Sequence, residues 1–298
     1  MYVEEDGHTL TIGVNTVIDK NNSSDDGAGI HLRKGTINMT GGSVSGNISK
    51  YDGGGVKVSS DATFIANNVD IKNNTASTEE GGGIKNAGKT TLTGCTISGN
   101  TSQERGGGIY NDANGSSPGE MTLNSCTIKE NSSMSDGGGI FNDEDLTING
   151  GTISSNKSGA YGGGVFINDG DGAENLKIQG KVVIKDNTAE LFANDLYIED
   201  KRLTVTGALT GSEIHVDMES GTGVLTYDYT KYNKSSGTAI APSTYFATAK
   251  GYDIGLDNDG EVELSSGWAA LKKQIEEYTG SAPIKLTKDY AAKPSDCR

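Results

Sequence analysis

Leu92-Thr93-Gly94-Cys95-Thr96-Ile97-Ser98-Gly99-Asn100, followed by Gly106-Gly107-Gly108-Ile109, returns as Leu123-Asn124-Ser125-Cys126-Thr127-Ile128-Lys129-Glu130-Asn131, followed by Gly137-Gly138-Gly139-Ile140. Two landmarks define the unit: an aliphatic residue three positions before an asparagine, and a glycine triplet with its own aliphatic residue. They continue as Ile153/Asn156 with Gly162-Gly163-Gly164-Val165, and as Ile184/Asn187. Toward the N-terminus they extend through Ile71/Asn74, Val44/Asn47 and Ile18/Asn21, which makes seven copies. From each asparagine to the next aliphatic target (Ile30, Val56, Ile84, Ile109, Ile140, Val165, Leu196) the step is nine residues, except ten from Asn74 to Ile84. Leu196 keeps the register although its triplet has become Ala193-Asn194-Asp195, the mark of a degenerate last coil.

The interval from the triplet's aliphatic to the next landmark varies from 13 to 19 residues, and its insertions carry Gly115-Ser116-Ser117-Pro118-Gly119 and Gly170-Asp171-Gly172. Such insertions are loops on one side of a coil whose other part keeps its length. Repeats of about 26 residues made of short β-runs imply a β-solenoid. Helical repeats would need a period near 3.6, whereas the alternation here is 2.

Alternation also assigns the faces. In Cys95-Thr96-Ile97 and Cys126-Thr127-Ile128 the flanking residues are apolar and the middle one polar, so cysteine and isoleucine point inward. After the triplet, Ile30/Leu32, Val56/Val58, Val165/Ile167 and Leu196/Ile198 alternate likewise. In the middle coils the second member is Asn86, Asn111 or Asn142, which predicts an asparagine ladder whose stacked amides bond along the axis. Cys95 and Cys126 occupy equivalent positions, where a stacked fold sets them roughly 4.8 Å apart. That spacing permits a disulfide, but two small thiols filling a core column is the preferred expectation; Cys297 is left unpaired.

Forty acidic residues against 25 basic ones give a formal charge of -15, which argues against nucleic acid or an anionic membrane as partner. Only 33% of the chain is hydrophobic, but 44 glycines make a thin core of short elements feasible. No run of about 18 apolar residues is present, so nothing is expected to span a membrane. Met1-Tyr2-Val3-Glu4-Glu5 lacks the basic and apolar regions of a secretory signal, so a signal has been removed or the chain is an excerpt.

Past Ile198 the grammar changes. Leu203-Thr204-Val205-Thr206 and Glu213-Ile214-His215-Val216 are strand-like, and Tyr252 to Glu263 predicts a hairpin around Asp257-Asn258-Asp259-Gly260. Thr226 to Tyr245 gives no clear assignment. Trp268, Leu271, Ile275 and Tyr278 fall on one helical face within Gly267 to Gly280, and Ile284-Lys285-Leu286 is a last strand candidate. The expected fold class is therefore all-β: a right-handed parallel β-helix of about seven coils over residues 1–200, a β-rich extension over 201–266, and an amphipathic helix and strand over 267–298. That last segment would cap the solenoid or begin a next repeat unit.

The triplet-aliphatic motif with its aliphatic-x-x-asparagine partner resembles the right-handed parallel β-helix repeats of bacterial surface adhesins. The polymorphic outer-membrane proteins of chlamydiae, with glycine-glycine-alanine-isoleucine and phenylalanine-x-x-asparagine motifs, are similar in pattern. This chain departs from them by a third glycine and by Val44, Ile71 or Ile97 where they have phenylalanine, and so looks closer to large adhesin-like proteins of Gram-positive bacteria. The resemblance covers roughly residues 10 to 200 and implies the fold; adhesins, enzymes and spacers all use that fold.

Alternation places His31, Lys57, Lys85, Tyr110, Phe141, Phe166 and Tyr197 on the outside, directly after each aliphatic target. Tyr110, Phe141, Phe166 and Tyr197 form a candidate exposed ligand-binding strip, on which sugar rings or a protein could stack. The opposing expectation is that an insertion loop or the segment after Ile198 covers it. Just before the triplets stand Asp26, Asp52, Glu80, Arg105, Asp136 and Tyr161. Stacked like charges repel, so the acids Asp26, Asp52, Glu80 and Asp136 either bind cations or sit at solvated turn tips, and the tips are preferred. Enzymes on this fold need aspartates clustered with basic partners, yet Asp70 has only Ser43 and Thr96 as column neighbours. The outward threonines Thr96, Thr127 and Thr152 are bounded by Asp70 and Val183, too short a column for ice binding.

These features point to a non-catalytic, extracellular or cell-surface module of a larger bacterial protein, displaying a binding face or acting as a stalk. No cofactor is expected. Expected partners are a host or surface glycan or protein, with head-to-tail contact between modules, and neither nucleic acid nor membrane insertion. A polysaccharide lyase or glycosidase on a pectate-lyase-like β-helix is the alternative.

Overall fold

The computed structural model describes residues 1–112, 119–168, 176–191, 195–199, 201–248 and 252–266. The chain winds into a parallel β-solenoid of about eight turns with almost no helix. Successive coils stack in register through a 20-stranded sheet, and a 7-stranded sheet of two-residue strands forms a further face. One inward row runs Ile30, Val56, Ile84, Ile109, Ile140, Val165, Leu196 and Val216, each paired with the next. A second runs Ile71, Ile97, Ile128, Ile153, Ile184, Ile214 and Phe246. These side chains are buried, as period-2 alternation requires of a one-sided core.

Cys95 and Cys126 are both free thiols buried in that core, the arrangement preferred from the sequence. The neighbouring Cys126 thiol lowers the Cys95 pKa, against a burial effect that works to raise it. Cys126 donates to the Leu92 carbonyl, at 3.4 Å.

The amide ladder expected at Asn86, Asn111 and Asn142 is present, with Nδ2 to Oδ1 distances of 2.8 Å. A longer one, unforeseen, joins the landmark asparagines themselves. From Asn21 through Asn47, Asn74, Asn100, Asn131, Asn156 and Asn187, each Nδ2 donates to the next side-chain oxygen at 2.8–3.0 Å, and the last donates to Asp195 Oδ1. Each backbone N–H of the row donates to that same oxygen. The second amide hydrogen of Asn100 reaches the Ile71 carbonyl, and its equivalents do the same. Every interior amide thus uses two donors and two acceptor sites, which is what a fully buried asparagine needs.

The glycine triplets pack against this ladder. A Cβ on Gly108 would lie 2.6 Å from the Gly139 carbonyl oxygen and 3.0 Å from the Asn131 side chain, so the third glycine is dictated by close approach of the next coil.

Parallel stacking runs on past residue 200. Leu203–Val205 and Glu213–Met218 pair with Leu176–Lys185, and Thr226–Tyr227 and Phe246–Ala247 extend the same sheet. The stretch without a sequence assignment holds a one-turn helix, Tyr229–Tyr232, with Tyr229 fully buried, and a short hairpin. The predicted hairpin forms between Asp253–Leu256 and Val262–Ser265. The helix with Trp268, Leu271, Ile275 and Tyr278, the strand at Ile284-Lys285-Leu286, and Cys297 lie outside the described residues, as do most of the two insertion loops.

Candidate functional site

The four aromatic residues stack as the register requires, but the strip is not exposed. Tyr110 pairs with Phe141, Phe141 with Phe166, and Phe166 with Tyr197. Ring centroids are 5.1, 4.9 and 5.3 Å apart, and the rings of the middle pair are nearly parallel at 7°. Yet Tyr110, Phe141, Phe166 and Tyr197 are only 5%, 2%, 4% and 7% exposed and form an apolar cluster of their own outside the main core. The expectation of an exposed binding strip is therefore corrected.

The cover comes from the neighbouring column. Tyr161 stacks on Tyr197 at 5.1 Å, the Arg105 guanidinium lies 4.9 Å from the Phe141 ring, and Lys85 Nζ lies 3.8 Å from the Tyr110 ring. Tyr161 and Arg105, which stand before triplets, thus fold over rings that follow triplets, while Lys85 approaches from the Tyr110 column itself. The Tyr110 hydroxyl donates to Asp143 Oδ2 at 2.5 Å, and Asn168 donates to Asp143 Oδ1 at 2.6 Å. Burial, with that hydrogen bond second, pushes the Tyr110 phenol well above its usual pKa.

In the earlier coils the same two columns are charged. Lys57 Nζ sits 2.6 Å from Asp26 Oδ2 and 2.9 Å from Asp52 Oδ2. Lys85 Nζ sits 2.5 Å from Glu80 Oε2, 3.2 Å from Asp112 Oδ2 and 3.9 Å from Asp52 Oδ1. Burial works against the charge on Lys57, but Asp52 and Asp26 overcome it and hold its pKa above the usual value. Burial raises Glu80, with Lys85 opposing.

Neither sequence expectation for Asp26, Asp52 and Glu80 holds. Their side chains, 20%, 11% and 17% exposed, are not solvated tips, and lysine ammonium groups stand where a metal ion would have to stand. Asp136 instead accepts from the Tyr161 backbone N–H at 3.0 Å and from the Ser135 hydroxyl at 3.0 Å. Among the described residues no group of three or more His, Cys, Asp or Glu is placed to hold a metal. Asp70 stands in register between Ser43 and Thr96, as expected.

Lys57, Lys85, Asp112 and Asp143 were missed as partners. For the lysines the signal lay in reading the two columns together: Asp52 with Lys57 and Glu80 with Lys85 are each five residues apart, and each couple closes across one triplet.

Fold and columns together define a parallel β-solenoid repeat protein, one stretch of which is similar to a known repeat. The family described as Chlamydia polymorphic membrane protein repeat matches residues 94–112, which hold Ile97, Asn100, the triplet Gly106 to Gly108 and the strand Ile109–Asn111. No curated protein and no solved structure matches the chain.

Proposed function

We propose that this chain is a non-catalytic module of a larger bacterial surface protein and that it serves as a rigid stalk. Its surface association rests on the repeat type, which takes its name from membrane proteins of Chlamydia. The observation that carries the stalk reading is the use of the outward columns. Aromatic rings and charges that could have faced a ligand are consumed in coil-to-coil contacts, so they stiffen the solenoid. No helix among the described residues is long and apolar enough to cross a membrane.

Incubation with a panel of polysaccharides and host-surface proteins tests this reading. A stalk releases no new reducing ends or unsaturated products and retains no component of the panel. Products would overturn it in favour of a lyase or glycosidase. Retention without products would move the function to adhesion, with the binding face elsewhere than on Tyr110, Phe141, Phe166 and Tyr197.

A further inference from the structure

Lys57 and Lys85 hold equivalent positions but differ in surroundings: the Lys57 side chain is 19% exposed and the Lys85 side chain 6%. Lys85 pairs with Tyr110 of the following coil, so Asp112, two residues further, projects on the same outward side. That register brings Asp112 Oδ2 to 3.2 Å from Lys85 Nζ, while Glu80 Oε2 approaches the same nitrogen at 2.5 Å and Asp52 Oδ1 at 3.9 Å. The Tyr110 ring closes one side, its centroid 3.8 Å from Nζ.

One ammonium therefore meets three carboxyl groups whose side chains are only 10% to 17% exposed, one of which, Asp52, also holds Lys57 at 2.9 Å. Such an excess of buried negative charge is costly unless a proton removes some of it. Burial raises the Glu80 pKa, with Lys85 opposing, and Glu80 accepts directly from Lys85 Nζ. The amine that would attack thus touches both the carboxyl it would attack and a group able to carry protons, and all three side chains are largely buried.

We propose that Lys85 and Asp112 condense to an intramolecular isopeptide bond that staples adjacent coils, with Glu80 carrying the protons. Lys85 passes a proton through Glu80 to the Asp112 carboxylate, leaving a neutral amine and a carboxylic acid. Nζ attacks Asp112 Cγ and the N–C bond forms. Glu80 then takes a proton from nitrogen and gives one to the departing hydroxyl as the C–O bond breaks. Ammonium and carboxylate become one amide and one water, Glu80 is regenerated, and no oxidant or reductant is used.

The intact mass of the purified full chain tests the bond. The mass is expected to fall short of the sequence mass by one water, and digestion should yield a branched peptide joining the segments that contain Lys85 and Asp112. A folded chain at its full sequence mass, with those segments recovered separately, overturns the proposal; so does a water loss that maps elsewhere. Glu80→Gln should restore the full mass while circular dichroism and melting show the fold kept. If the bond forms unchanged in that variant, the role of Glu80 falls. Should Glu80→Gln fail to fold, Lys85→Arg keeps the charge and must itself run at its full sequence mass.

Discussion

Each coil turns through two left-handed corners, and the two accept different residues. The corner that opens the triplet has φ of +55° to +65° at Gly27, Gly53, Gly81, Gly106, Gly137 and Gly162, glycine at each of the six described. The corner just before the ladder asparagine has φ of +53° to +64° at Lys20, Gly46, Asn73, Gly99, Glu130, Ser155 and Asp186. A left-handed residue with a Cβ costs about 1–2 kcal/mol wherever it occurs, so φ alone cannot explain the difference. Contact does. A Cβ on Gly106 would lie 2.4 Å from the Ile109 carbonyl oxygen, which the sheet fixes. On Gly99 the near atom is Asn73 Oδ1 at 2.5 Å, the free end of a side chain, and on Gly46 nothing lies closer than 3.6 Å.

If contact rather than φ governs the first corner, hydrogen bonding must hold the second, and breaking the ladder should cost most. Asn100→Leu removes the acceptor of the Asn74 amide and backbone N–H and the donor to the Ile71 carbonyl. Three buried groups lose partners at about 1–3 kcal/mol each, so a loss of about 4 kcal/mol is expected in chemical unfolding. A loss under about 1 kcal/mol would mean that the corner holds itself. Gly106→Ala comes next, at about 3 kcal/mol, because backbone strain and a clash with fixed backbone act together. Glu130→Gly, at the tolerant corner, relieves left-handed strain but adds unfolded-chain entropy of similar size. Its stability should change by no more than about 0.5 kcal/mol, and equal costs for the two corner variants would remove the distinction.

The same contrast explains what could be read in the sequence. The first corner was legible because close approach allows one residue, so the triplet repeats and sets the period. Inward Ile, Val and Cys were legible from alternation, and the ladder at Asn86, Asn111 and Asn142 from an amide in a core position. The second corner was silent, since Lys, Gly, Asn, Glu, Ser and Asp all occupy it. Outward burial was also silent. Alternation tells which side of a strand Phe141 takes, but Arg105 and Tyr161 lie over the rings because of where a turn folds, and no single column encodes that.

The smallest effect belongs to the ladder's end, where the partner of Asn187 is a carboxylate rather than an amide. Asp195 Oδ1 accepts both the Asn187 N–H and Nδ2 at 2.8 Å, and Oδ2 lies 3.2 Å from His215 Nδ1. Burial raises the Asp195 pKa above its ordinary 3.8, against the Asn187 and His215 contacts that lower it. A carboxyl raised on folding binds its proton more tightly in the folded state. Its stabilising contribution is therefore complete below pH 3.8 and is lost as pH rises through the folded value. Asp195→Asn keeps an acceptor for Asn187 and removes the titration. Melting temperature plotted against pH should accordingly fall less steeply above pH 3.8 in the variant than in the parent chain. Parallel curves would show that the ladder's terminus is not the group being titrated, and that its acceptor matters here only as a hydrogen-bond partner.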